Sequence, residues 1–255
     1  MTAKMTNAKA LLVKVPAVTI WFWIIKVFST TVGETLGDTL NDGFGLGLAK
    51  AAYVMLAVFA VLLSFQLLLK RYVPVVYWAT IIAVSTVGTL LTDNLHDSFG
   101  WQNWQSAILF AVVLVSVFAI WWLQERTLSI KSINTGKREA FYWLAILATF
   151  GMGTAGGDIF LDNLGVPLTV SSLLFAALIL LVAVLWKTKA IGTVFGFWAV
   201  YIFTRPLGAS VGDLLSQPKP EGWGFDAGLI SWIALGVIAA LTGYLSLSKV
   251  DVIAD

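Results

Sequence analysis

The chain contains no cysteine and only one histidine, His96, among its 255 residues. The lack of thiols excludes a disulfide framework, an iron–sulfur cluster and a cysteine nucleophile, and a single histidine excludes a multi-histidine metal site. Charged residues are also scarce, at 12% with a formal net charge of +2, which is too little for a nucleic-acid-binding surface. No nucleophile–base pair or metal-ligand cluster of recognisable spacing occurs, so the sequence does not predict an enzyme.

Apolar side chains, by contrast, are abundant. Hydrophobic residues make up 59% of the chain and the mean hydropathy is +0.88, values typical of a membrane protein. Apolar runs of about 20 residues alternate with short polar joints, and each run is long enough to cross a hydrocarbon core of about 30 Å. We therefore predict an all-α polytopic membrane protein with eight transmembrane helices, at residues 17–38, 49–69, 74–93, 104–123, 140–158, 168–186, 191–213 and 227–246.

The odd-numbered runs share a motif that begins with an aromatic residue followed by tryptophan. The tryptophans are Trp23, Trp78, Trp143 and Trp198. Ten residues after each lies a glycine, at Gly33, Gly88, Gly153 and Gly208, and fifteen residues after each lies an aspartate, at Asp38, Asp93, Asp158 and Asp213. Such matching at fixed offsets predicts four copies of a two-helix unit. The predicted divisions are a leader at 1–16, repeats at 17–70, 71–126, 127–189 and 190–248, and a tail at 249–255.

These tryptophan, glycine and aspartate positions resemble those of a bacterial family of integral membrane proteins. Its members consist of four tandem two-helix repeats, each with a hallmark tryptophan, and the family is classed as of unknown function. The resemblance covers nearly the whole chain and implies this architecture, but no activity. The fourth copy departs from the pattern at Thr204-Arg205-Pro206, and it has Gln217 where the other copies have an aspartate nineteen residues after the tryptophan. We therefore expect a separate role for this copy.

The basic residues predict the orientation. Most lie in the leader and in the joints after even-numbered runs, whereas the opposite joints contain only Lys50 and Lys219. By the positive-inside rule, both termini are cytoplasmic in a multi-pass protein of the bacterial inner membrane, with the lipid bilayer as its surroundings. Each repeat crosses twice, so the four motif helices run parallel and their aspartates face outward. The sequence leads to no prediction of an oligomeric state.

Several charged and polar side chains fall at membrane depth on one face of the motif helices. Positions three, seven, eleven and fifteen residues after the tryptophan share this face, because residues four apart are neighbours on a helix. A charge in the bilayer centre costs at least ~2.5 kcal/mol, so these groups must face the protein interior or water. The candidate ion- or substrate-binding residues are Asp38, Asp93, Asp158, Asp213, Glu34, Arg205, Lys26, Thr89 and Thr154.

Two interpretations of these charges remain open. In the first, they form buried structural pairs, Lys26 with Glu34 and Arg205 with an aspartate. In the second, five acidic side chains outnumber two basic ones, so some carboxylates are protonated, hydrated or available to a cation. An oxygen-only ligand set favours a hard cation such as Mn²⁺ or Mg²⁺, with the four aspartates as metal ligands.

The glycines also have two interpretations. A stripe of small residues allows helix backbones to approach closely, which predicts helix packing at Gly33, Gly88, Gly153 and Gly208. Alternatively, glycines together with Pro206 allow a motif helix to unwind and to expose carbonyl oxygens.

Three functions follow as hypotheses. The first is a secondary transporter or exporter of a divalent cation, coupled to protons through the same carboxylates and needing no covalent cofactor. The second is a transporter of a small organic solute whose anionic group is anchored by Arg205 and Lys26. The third is a membrane scaffold or sensor that transports nothing.

Overall fold

The computed structural model describes residues 13–252, so most of the predicted leader and the last three residues of the predicted tail lie outside the described residues. The described part is helical, without strands. It contains eight long α-helices: α1 (Ile20–Asp38), α2 (Leu48–Leu68), α3 (Pro74–Asp93), α4 (Asn103–Glu125), α5 (Gly136–Asp158), α6 (Leu168–Lys187), α7 (Thr193–Ser216) and α8 (Ala227–Ser248).

Seven of these helices, α2 to α8, are long and apolar enough to cross a membrane. The first, α1, has 19 residues and contains the charged residues Lys26, Glu34 and Asp38. The predicted all-α class and the membrane character of the chain are therefore confirmed.

Local sequence sets where several helices begin. The side chains of Thr19, Thr135 and Asp226 accept hydrogen bonds from the first-turn amides of α1, α5 and α8. These bonds satisfy backbone donors that have no partner inside the helix. Pro74 starts α3, where its missing N–H costs nothing and its fixed φ already suits a helix.

The four motif helices, α1, α3, α5 and α7, form a closed ring. Each packs against its two neighbours in chain order, and α7 closes the ring by packing against α1. The second helix of each repeat packs on the motif helix of the next repeat: α2 on α3, α4 on α5, α6 on α7, and α8 back on α1. The motif helices are therefore mostly buried, whereas the outer helices expose most of their apolar side chains.

The hallmark aromatic–tryptophan pairs join the repeats at the first turns of the motif helices. In every copy, the aromatic residue contacts the tryptophan of the next copy at a ring-centroid distance between 5.4 and 6.2 Å. The pairs are Phe22–Trp78, Tyr77–Trp143, Tyr142–Trp198 and Phe197–Trp23. Because equivalent positions meet around the ring, the four motif helices run parallel. Tilted aromatic contacts of this kind add stabilisation beyond the area they bury.

The motif glycines lie where neighbouring motif helices cross. Each faces the residue seven positions after the tryptophan in the next copy: Gly33 faces Ser85, Gly88 faces Phe150, Gly153 faces Arg205 and Gly208 faces Thr30. A Cβ added at Gly88 would lie 2.7 Å from the Cβ of Phe150, so a larger residue would force the helices apart. Unwinding is not seen in this structure, since α7 runs without a break through Pro206.

The two ends of the ring differ. The end where the described chain begins and finishes, called here the terminal end, is joined by a hydrogen bond of 2.7 Å from the Ala17 amide to the Asp251 carbonyl. At the opposite end, called here the aspartate end, one π-helical turn follows α1, α3 and α5, at Thr39–Gly43, Asn94–Ser98 and Ile159–Asn163. These turns contain Asp42, Asp97 and Asp162. In the fourth copy the chain becomes extended at Gln217, so the sequence difference there marks a structural one.

Candidate functional site

A buried ion pair joins the first and fourth repeats at mid-height of the ring. Arg205 Nη2 donates to Glu34 Oε2 at 2.7 Å, and the two side chains are 1% and 11% exposed. The same guanidinium nitrogen donates to Thr89 Oγ1, and Thr89 Oγ1 donates to the Gly33 carbonyl at 3.3 Å. Arg205, Glu34 and Thr89 thus connect three repeats. The first interpretation, which paired Lys26 with Glu34 and Arg205 with an aspartate, differs from the structure, in which Arg205 pairs with Glu34 across the α7–α1 contact.

Lys26 lies on α1 eight residues before Glu34, closer to the terminal end, and is fully buried. Its ammonium nitrogen has no hydrogen-bond partner among the described residues. It lies 4.0 Å from the ring centroid of Phe150 and 4.3 Å from that of Tyr201, within the range of cation–π attraction. The charged group with which it interacts is Arg205, which repels it. Lys26 is therefore a buried basic side chain without a neutralising carboxylate in the described chain.

The four motif aspartates converge on the aspartate end of the ring. Asp38, Asp93 and Asp158 are half-buried, and Asp213 is 9% exposed. Each carboxyl group is close enough to Glu34 and to Arg205 to interact with both electrostatically. Asp213 also interacts with the carboxyl groups of three repeats in this way, and Asp93 with those of the three other motif aspartates. The result is a concentration of acidic groups in front of one buried arginine.

These acidic groups do not form a ready-made metal site. Within residues 13–252, no three histidine, aspartate or glutamate side chains come close enough together to hold a metal ion. The four aspartates lie at the same end of the ring, but their carboxyl groups do not come together around one point where an ion could bind directly. Their interpretation as direct metal ligands therefore requires an arrangement other than this one.

The two candidate threonines occupy equivalent positions but have different partners. Thr89 belongs to the cluster with Arg205 and Glu34. Thr154 is equally buried, but its hydroxyl donates to the Phe150 carbonyl of its own helix at 3.0 Å. Of the two, Thr89 is the one that contacts the charged groups.

Two further polar groups near the ring axis were missed from the sequence. Ser85 Oγ and Tyr201 Oη are buried and have no hydrogen-bond partner among the described residues. The same is true of Nε and Nη1 of Arg205. The motif spacing was sufficient to find both residues, because Tyr201 lies three residues after its tryptophan, like Lys26, and Ser85 lies seven after its own, like Arg205.

Comparison with known proteins yields a single family. The family described as Repeat of Unknown Function (DUF347) matches the chain four times, at residues 21–72, 76–127, 141–191 and 196–251. The matches cover most of the chain, and each begins close to one aromatic–tryptophan pair. No curated protein and no solved structure matches the chain.

Proposed function

We propose that this chain, which belongs to the Repeat of Unknown Function (DUF347) family, is a secondary transporter that carries a cation across the bacterial inner membrane. The family description assigns no activity, so the proposal depends on the site. The observation that carries it is the convergence of four equivalent carboxyl groups in front of the buried Glu34–Arg205 pair. Acidic groups at the mouth of a low-dielectric ring raise the local concentration of cations.

The proposed topology has eight membrane-spanning helices, with the terminal end in the cytoplasm. The charges of α1 do not argue against a span, because Lys26 and Glu34 are 0% and 8% exposed and face the ring instead of lipid. The basic joints support the orientation, since Lys70, Arg71 and Arg126 follow the outer helices α2 and α4. The aspartates then face outward.

The cation class follows from the ligand chemistry. Carboxylate and hydroxyl oxygens suit Mn²⁺ or Mg²⁺. Mg²⁺ keeps several of its waters and binds proteins through one or two carboxylates, which fits aspartates that surround a region without closing on it. The cation therefore arrives hydrated at the aspartate end. Arg205 and Lys26, further along the axis, oppose its passage until the Glu34–Arg205 pair rearranges, which is the behaviour of a carrier.

Transport into proteoliposomes tests the proposal. Mn²⁺ uptake, followed with an enclosed metal-sensitive dye, is compared between the wild-type protein and the single variants Asp38→Asn and Asp158→Asn. Each loses one charge-assisted contact worth about 1.5–3 kcal/mol, so uptake at limiting Mn²⁺ should fall by about tenfold or more. Asp97→Asn is the matched control, because this aspartate is exposed in the π-helical turn after α3. Unchanged uptake in both motif variants would reject the carboxylate site.

A second candidate is the transport of a small organic solute with an anionic group. It is favoured by the unpaired donors of Lys26, Arg205, Ser85 and Tyr201, which an anion would satisfy. Total loss of transport in Arg205→Ala, with activity retained in the aspartate variants, would select this candidate over the first.

A further inference from the structure

Four buried or part-buried tyrosines lie between the ring centre and the terminal end. Tyr77 Oη and Tyr142 Oη are hydrogen-bonded to each other, and both side chains are fully buried. Tyr72, just before α3, donates its hydroxyl proton to Asp251 Oδ2 at 2.6 Å. Tyr201 is the fourth, with a buried hydroxyl that has no partner among the described residues.

These tyrosines form a row that starts at Lys26. The Lys26 ammonium lies 4.3 Å from the ring centroid of Tyr201. Tyr201 packs against Trp198 at a ring-centroid distance of 5.9 Å, and Trp198 packs against Tyr142 at 6.2 Å. Tyr77 in turn packs edge-on against Tyr72, with a centroid distance of 5.6 Å.

The row finishes at Asp251, which follows α8 at the terminal end. This aspartate is itself buried, at 1% exposure, although its chain neighbours Val250 and Val252 are both exposed. Its Oδ2 accepts the Tyr72 hydrogen bond, whereas its Oδ1 has no partner within residues 13–252. Asp251 is thus the buried acidic group at the end of the row, one residue away from exposed chain on either side.

Lys26 is suited to exchange a proton at the inner end of this row. A buried lysine changes its protonation state readily, whereas arginine stays charged in proteins. Within residues 13–252, Lys26 has no carboxylate partner that would hold its proton, and Arg205, which acts on it from α7, opposes a second positive charge. On the α5 side, Lys26 contacts the Phe150 ring, which has no titratable group.

We propose that Lys26 carries the coupling proton of transport, and that Tyr201, Tyr142, Tyr77 and Tyr72 relay this proton between Lys26 and Asp251. This inference rests on the proposed cation transport. Each hydroxyl oxygen accepts one proton and releases its own, so the net step transfers one proton from the Asp251 carboxyl group to the Lys26 amine. Where two hydroxyls are not directly bonded, a water molecule or a side-chain rotation bridges them.

The relay explains how the protonation state of Lys26 controls movement of the cation. When Lys26 is protonated, two positive side chains lie on the axis behind Glu34, and they oppose a cation that advances from the aspartate end. When Lys26 releases its proton toward Asp251, one of these charges disappears and the cation can approach Glu34. The advance of the cation toward the terminal end is therefore linked to the release of the Lys26 proton toward the same end.

The test measures cation and proton movement in the same proteoliposomes, with a metal-sensitive and a pH-sensitive dye. The Lys26→Arg variant keeps a positive charge but cannot release a proton. The Tyr142→Phe variant keeps the ring and removes one hydroxyl of the relay. Tyr53→Phe is the matched control, because Tyr53 is 73% exposed on α2 and lies outside the row. Size-exclusion profiles and thermal unfolding establish that each variant is folded.

We expect Tyr142→Phe to move at least about tenfold fewer protons per cation than the wild-type protein, a change equivalent to about 1.4 kcal/mol, while Tyr53→Phe keeps the wild-type ratio. A folded Lys26→Arg protein should lose cation flux by about tenfold or more, because its fixed charge always opposes the cation. Normal cation flux with an unchanged ratio in Tyr142→Phe and in any folded Lys26→Arg protein would overturn the relay alone. No cation flux in the wild-type protein would overturn the proposed function and the relay with it. Because Tyr142→Phe is nearly isosteric, it decides the matter even if Lys26→Arg does not fold.

Discussion

Removal of either partner of the Glu34–Arg205 pair should destabilise the ring strongly. Arg205 is 1% exposed and donates to Glu34 Oε2 at 2.7 Å, so the Glu34→Gln variant leaves a buried guanidinium with Thr89 as its remaining side-chain acceptor in the described chain. The Arg205→Met variant leaves a buried carboxylate instead. Loss of one partner of a buried ion pair costs about 3–5 kcal/mol, most of it from the uncompensated charge that remains.

The double variant makes the reasoning quantitative. With both charges gone, neither is left unpaired, so the Glu34→Gln/Arg205→Met protein should be more stable than the sum of the single losses implies, by about 2 kcal/mol or more. The assay is the free energy of unfolding in mixed micelles, titrated with a denaturing detergent. Thr89→Val is the control for loss of one neutral hydroxyl, and it should cost about 1 kcal/mol. Single variants within about 0.5 kcal/mol of the wild-type protein, or strictly additive losses, would refute the reasoning.

Three other predictions concern packing, the terminal end and pH. Gly88→Ala should cost about 1–3 kcal/mol in unfolding free energy because its Cβ would overlap the next motif helix, whereas Gly236→Ala, which has open space around it, should cost nothing; equal effects would contradict close packing at the motif glycine. Lys14→Met should destabilise the protein by about 3–5 kcal/mol, because it leaves the buried carboxylate of Glu139 without its cation, and a thermal midpoint equal to that of the wild-type protein would argue against this. Burial raises the pKa of Asp251, so its contribution to stability is complete below the unfolded pKa of about 3.9 and is lost as the pH rises through the folded pKa; Asp251→Asn should remove this slope from a pH titration of unfolding free energy, and an unaltered slope would exclude Asp251 as its source.

The sequence predicts the helices well, for a reason that is local. A stretch of some 20 apolar residues has few alternatives to a helix in a bilayer, because every backbone polar group must be bonded within the segment. The motif spacing likewise places Glu34, Asp38 and Lys26 on one helix face without reference to any other helix. The all-α class and the four-repeat family followed from these local patterns, and both are confirmed.

The partners of the charged residues did not follow in the same way. Lys26 lies eight residues before Glu34 on the same helix, which made a pair between them attractive from the sequence. In the ring, however, Arg205 reaches Glu34 from α7, and Phe150 and Tyr201 cover Lys26. Such contacts depend on the register of neighbouring helices, which no pattern within one helix records.

By itself, the sequence determined the all-helical class, the fourfold repeat and the height of each polar group along its helix, because hydropathy and the helical period act within one segment. Only the tertiary structure decided that the repeats close into a ring, that each outer helix packs on the next repeat, and that Lys26 has no carboxylate partner in the part of the chain that the structure describes. The physical reason is that closure depends on contacts between segments far apart in the chain, such as Phe197 with Trp23 and Gly208 with Thr30, where side-chain size sets the approach of two helices.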